Sequence, residues 1–101
     1  MIRIQNIVIL DDARNDLLDG KNFYDAQAIG VGDYFWDSLI SDIESLYIHA
    51  GVHESHFHCF RMLSKRFPYA IYYQIESDTA HVIAILPIKR DPSWISNRMS
   101  N

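Results

Sequence analysis

Residues 57–94 read FHCFRMLSKRFPYAIYYQIESDTAHVIAILPIKRDPSW, and this stretch decides the fold. Three apolar runs, 57–63, 69–75 and 80–88, are rich in aromatic and β-branched residues and short enough to be strands. Glu76-Ser77-Asp78-Thr79 separates the second run from the third, and its short polar side chains suit a tight turn. The second and third runs are therefore expected to form an antiparallel hairpin. The first joins it through residues 64–68, where Pro68 forces Phe67 into an extended shape. The result is a β-meander. Val82-Ile83-Ala84-Ile85-Leu86 offers no polar residue to either face, which is the pattern of an interior strand buried on both sides. Pro92 cannot continue that ladder.

Basic residues gather near the expected strand ends: Arg61, Lys65, Arg66, Lys89 and Arg90. A rigid sheet with several cations at one rim is a candidate functional surface. Lys and Arg also serve simply to blunt sheet edges and turns.

Working outward, residues 2–10 (IRIQNIVIL) alternate well enough for a strand, with Ile2, Ile4, Val8 and Leu10 on one face and Asn6 interrupting it. Asp11-Asp12 ends that strand and can cap a helix over about 12–27. Ala13, Leu17, Phe23 or Tyr24, and Ala26 give this helix its apolar stripe. Gly20 weakens its middle by up to about 1 kcal/mol relative to alanine. Gly30 and Gly32 mark a break. A second helix over about 31–49 is clearer, because Phe35, Leu39, Ile43, Leu46 and Tyr47 recur at helical spacing. Trp36 and Ile40 widen its apolar face. The short connection implies an antiparallel helical hairpin laid on the meander. The expected class is α+β: an N-terminal strand and a helical hairpin packed on a small, mostly antiparallel sheet.

The chain has 101 residues and reads as a single domain, 1–101, with 49% hydrophobic and 22% charged residues, as in ordinary globular proteins. No apolar run approaches the roughly 20 residues of a membrane span. The start, Met1-Ile2-Arg3-Ile4-Gln5, does not resemble a signal peptide, so a cytoplasmic location with no membrane partner is expected. Cys59 is the lone cysteine and reads as a small packed residue. The net charge of −4 argues against general binding to free DNA. Residues 11–48 hold nine acids against two bases, whereas residues 49–101 hold four acids against six bases. Such a lopsided surface suits a specific partner.

Residues 51–59 (GVHESHFHC) contain His53, His56 and His58 beside Cys59. The spacing matches no strong zinc pattern, and consecutive strand residues 58 and 59 would face opposite ways. A polar, pH-sensitive loop is the favoured reading, with no metal or other cofactor expected.

Several segments, in order, carry a resemblance to a known family. They are Asp16-Leu17, the stretch from Phe23-Tyr24 to Gly30-x-Gly32-x-x-Phe35, Lys65-Arg66-Phe67-Pro68-Tyr69-Ala70-Ile71-Tyr72-Tyr73, and Ala84-Ile85-Leu86 followed by Arg90-Asp91-Pro92-x-Trp94. Together they resemble the RelE/ParE superfamily of small bacterial toxins from type II toxin–antitoxin systems. The resemblance implies a helical hairpin on a small twisted antiparallel sheet, with a short C-terminal helix or tail. It also implies neutralisation by a cognate antitoxin whose tail wraps the toxin. Tyr34 and Trp36 would be its anchors unless both are simply core.

The superfamily divides by target. A RelE-like, ribosome-dependent mRNA endoribonuclease needs a group to activate a 2′-hydroxyl and cations to stabilise the phosphate. That branch carries an arginine where this chain has Ala70, a tyrosine or histidine near the C-terminus where it has Trp94, Ser96 and Asn97, and often a histidine where it has Pro87-Ile88-Lys89. Arg61, Lys65, Tyr73 and Arg90 are the catalytic candidates under that reading. The ParE-like branch acts on DNA gyrase by protein contact. For it Lys89, Arg90 and Trp94 would form the target-binding surface. The resemblance favours the ParE-like branch, with the nuclease as alternative and a metal- or ligand-binding histidine loop as a remote third.

Overall fold

Tyr69–Glu76 (β4) and Thr79–Pro87 (β5) pair along their full length as the expected antiparallel hairpin, turning at Ser77, which takes a positive φ of 56°. Cys59–Leu63 (β3) flanks β4 on its other side. The computed structural model describes residues 3–90 together with Ile95 and Arg98. The remaining elements are Asn6–Ile9 (β1), Asp11–Gln27 (α1), Val31–Glu44 (α2), Leu46–His49 (α3) and Glu54–His56 (β2). The five strands lie in the order β1-β5-β4-β3-β2. β1 runs parallel to β5 and every other pair is antiparallel, so the sheet is mixed and the class is α+β.

The helical hairpin covers one face. Leu17 of α1, Phe35, Leu39 and Ile43 of α2 and Leu46 of α3 pack against Met62, Ile71, Tyr73, Val82 and Ile85 of the sheet. A smaller cluster occupies the outer face, where Cys59, Ala70, Tyr72, Ala84 and Leu86 meet Ile95. A register shift feeds both. Tyr72 pairs with Ala84 but Tyr73 pairs with Val82, so Ile83 is an extra residue, a β-bulge. Ile83 accordingly packs with Ala84 on the outer face.

The structure corrects several sequence expectations. In β1 it is Ile7 and Ile9 that pack on the core, while Val8 is 41% exposed. The cause is local: the N–H groups of Gln5 and Asn6 both donate to the carbonyl of Asp78 (2.6 and 3.2 Å), and this bend shifts the alternation by one. Ile4 is buried but precedes the strand, and Ile2 lies outside the described residues. In α1 the buried stripe is Ala13, Asp16, Leu17 and Gly20, whereas Phe23 is 56% exposed and Ala26 is also exposed. The second helix breaks at Ser45, whose hydroxyl donates to the carbonyl of Asp42 at 2.6 Å, and Tyr47 is exposed. The expected loop over 51–59 contains an edge strand, β2, joined to β3 by a two-residue turn at Phe57-His58.

Candidate functional site

Leu63 pairs with Ala70 and Tyr69 with Pro87, so β3 ends, β4 begins and β5 ends at one rim of the sheet. The Ile88 N–H donates to the Pro68 carbonyl at 2.9 Å and ties the two connecting segments together there. Lys65, Arg66, Lys89 and Arg90 all belong to this rim and are exposed. The loop that carries the first two is firmly held. Asp42, buried on α2, accepts from the Ser64 hydroxyl at 2.6 Å and the Lys65 N–H at 3.3 Å. Phe67 inserts its ring 4.9 Å from Tyr24 and 5.0 Å from Phe35. A buried carboxylate with charge-assisted bonds and an aromatic anchor fix a short cationic loop.

Beside the rim runs a groove of about 430 Å³ between α1 and the end of the β4–β5 hairpin. Phe23, Tyr24, Pro68 and Tyr69 give it an apolar lining, with Asp16, Asp19, Lys89 and Arg90 around them. Burial raises the Tyr69 phenol above its ordinary pKa, while the nearby Arg90 charge acts the other way. Tyr34 is 51% exposed and its ring lies 5.4 Å from that of Phe67, which makes it continuous with the rim loop. Trp36, two residues on, is half-buried against the helix-side core, so the pair does not present one surface.

The remaining candidates are dispersed. Arg61 sits within β3 opposite Tyr72, on the outer face and not at the rim. Its Nε donates to the Tyr72 hydroxyl at 3.1 Å, and its guanidinium lies 5.9 Å from that ring's centroid. The five basic residues therefore divide into four at the rim and one on the open face. Tyr73 is 0% exposed and belongs to the helix-side core, so its hydroxyl is structural and unavailable to an external phosphodiester. Ala70, at the position where the nuclease branch carries arginine, is buried in the outer cluster. Trp94 lies outside the described residues.

The histidines separate too. His53 bonds the Tyr73 hydroxyl, His56 lies 3.2 Å from the Glu54 carboxylate, and His58 is exposed in the turn. Among the described residues no three His, Cys, Asp or Glu side chains come together as a metal site. Burial pushes the Cys59 thiol up to about 11, which keeps it protonated and unreactive.

Sequence reasoning missed a buried ion pair between α1 and the C-terminal segment. Asp16 of α1 is only 8% exposed and takes a two-pronged contact from Arg98, at 2.6 and 2.9 Å. Its Oδ2 also accepts from the Ile85 N–H at 2.9 Å, and Arg98 donates to the Ile83 carbonyl at 3.4 Å. β1 reaches only as far as Val82, whose carbonyl accepts from the Leu10 N–H at 3.1 Å. Past that point Asp16 and Arg98 take over from the missing strand and satisfy the edge of β5. A signal existed: Asp16 falls at i+3 from Ala13, inside the apolar stripe of α1, where an unpaired acid would be costly.

A helical hairpin over one face of a five-stranded mixed sheet, with a cationic rim fixed by buried contacts, defines a small α+β protein that presents a rigid sheet end. No family model and no curated protein matches the sequence. Compared as a structure, the chain has the fold of a chain in the solved chromosomal ParDE TA system from P. aeruginosa, with a TM-score of 0.74. The match covers 83% of this chain and 96% of that chain at 10% sequence identity, so it is a likeness of fold. Among the described residues no helix is long and apolar enough to cross a membrane.

Proposed function

We propose that this chain is the ParE-like toxin of a type II toxin–antitoxin pair. In this reading it acts in the cytoplasm, inhibits DNA gyrase by protein–protein contact, and is held silent by a cognate antitoxin. The ParE-like fold and the ordered motifs of the sequence support the toxin assignment. The choice of branch rests on one observation: the groups that RNA cleavage would require do not converge. Tyr73 is core, Ala70 is buried, and Arg61 and Arg90 occupy different parts of the sheet. Activating a 2′-hydroxyl demands a base within hydrogen-bond reach of the proton and a cation at the same phosphate. Lys89 and Arg90 at the rim, together with Trp94, are the proposed gyrase contacts, and Tyr34 is a proposed antitoxin contact.

Purified protein added to gyrase should inhibit supercoiling, and inhibition should vanish when a cognate antitoxin is added. Unimpaired supercoiling at micromolar protein would refute the target. The nuclease reading keeps one observation in its favour, the Arg61–Tyr72 pair on the outer sheet face. Mapping mRNA ends after induction tests it. Cuts at fixed codon positions that disappear in Arg61→Ala would replace gyrase with the ribosome.

A further inference from the structure

The geometry points to a pH-sensitive pin that holds the edge strand β2 on the sheet: the Tyr73 hydroxyl caught between Gly51 and His53, with His53 as the group that releases it. Tyr73 lies in the middle strand, its ring buried and stacked on Phe60 at 5.2 Å. Its hydroxyl is the part that reaches the segment between α3 and β2. There it accepts from the Gly51 N–H at 3.0 Å and contacts His53 Nδ1. A phenol has one proton to give. Burial raises the Tyr73 pKa and keeps that proton in place. With Gly51 donating to the oxygen, the proton goes to His53. The ring must then be neutral, with Nδ1 bare and the hydrogen on Nε2.

Protonating Nδ1 sets one donor against another and breaks this arrangement. Burial disfavours the charged imidazole, and the charge of His49 on α3 adds to that. Tyr73, on β4, faces His53 without charge, and Phe60 of β3 beside it does not titrate. Within β2 itself, His56 and Glu54 face each other at 3.2 Å and do not touch the pin.

β2 is a short strand at the sheet edge, and its turn is also tied by the Gln74 amide, which donates to the His58 carbonyl at 3.2 Å. It makes three residue pairs with β3, through a turn whose two residues, Phe57 and His58, both take positive φ (54° and 65°). Non-glycine residues adopt that conformation at a cost. Loss of the pin therefore frees β2 locally and bares the edge of β3, the strand that carries Arg61. His53 binds a proton less readily with the pin closed than open. The pin is accordingly intact above the open-state value near 6.5, and opening increases as pH falls below it, by up to about tenfold per unit.

Amide exchange on the full chain tests this between about pH 7 and about pH 5, with protection factors corrected for intrinsic rates. Protection across β2 should fall on acidification, by up to about twentyfold, while that of Ile71 in β4 holds. His53→Gln keeps an acceptor for the hydroxyl but cannot titrate, so its β2 protection should be independent of pH. Tyr73→Phe should leave β2 weakly protected at both values. Constant protection of β2 in the native chain overturns the inference, as does an unchanged pH response in His53→Gln.

Discussion

At the scale of a single residue, Gly20 is where sequence and packing disagree most. In the middle of α1 it reads as a weak point, and alanine there would gain up to about 1 kcal/mol of helix propensity. The tertiary structure reverses that expectation. A methyl group at Gly20 would lie 2.5 Å from Cζ of Phe35 and 2.6 Å from Cε2. The ring cannot slide away, since Tyr24, Phe67 and Tyr69 lie within 5.1, 5.0 and 4.9 Å of it. Overfilling such a site costs about 1–3 kcal/mol, which exceeds the propensity gain. Gly20→Ala should therefore destabilise the protein by roughly 1 kcal/mol, seen as a lower urea midpoint. A higher midpoint would mean that the aromatic cluster repacks. The same scale explains Asp16. No local pattern tells that a helix acid will cap a strand 69 residues later, because that contact depends on where β1 stops.

At the scale of elements, what was legible followed from strong local signals, and what was not followed from competition between levels. The β4–β5 hairpin has a polar turn between two apolar runs, and α2 has a clean helical stripe, so both emerge from sequence. β2 does not, because Glu54–His56 is short and polar, and its turn is Phe57-His58 instead of the Asn-Gly that such turns favour. β1 was legible as a strand, but its facing was hidden by the bend at Gln5. The turn yields a direct test. Replacing Phe57 with Asn and His58 with Gly supplies residues that tolerate positive φ. The double variant should be more stable by about 1 kcal/mol, with the gain confined to slower opening of β2 and β3 in amide exchange. A loss of stability would mean that the half-exposed Phe57 ring contributes more packing than its backbone costs in strain.

At the scale of the whole molecule, charge is sorted by layer. Asp11, Asp12, Asp19, Asp25, Asp33, Asp37 and Glu44 are exposed on the two helices, while Lys65, Arg66, Lys89 and Arg90 are exposed at the sheet rim. A net-acidic protein with a local cationic edge is poorly suited to coating nucleic acid, but it can be oriented by a partner's field as it approaches. This separates the two target hypotheses by position. If the rim meets gyrase, reversing charge there in Lys65→Glu/Lys89→Glu should weaken inhibition of supercoiling about tenfold or more and flatten its salt dependence. Neither side chain is buried, so the fold should survive and thermal melts should coincide with the parent. Arg61→Ala, on the outer face against Tyr72, should leave inhibition intact. The opposite ranking, with Arg61 essential and the rim tolerant, would move the working surface from the end of the sheet to its open face. That face, with Arg61 and Tyr72 side by side, is where gyrase would then have to dock.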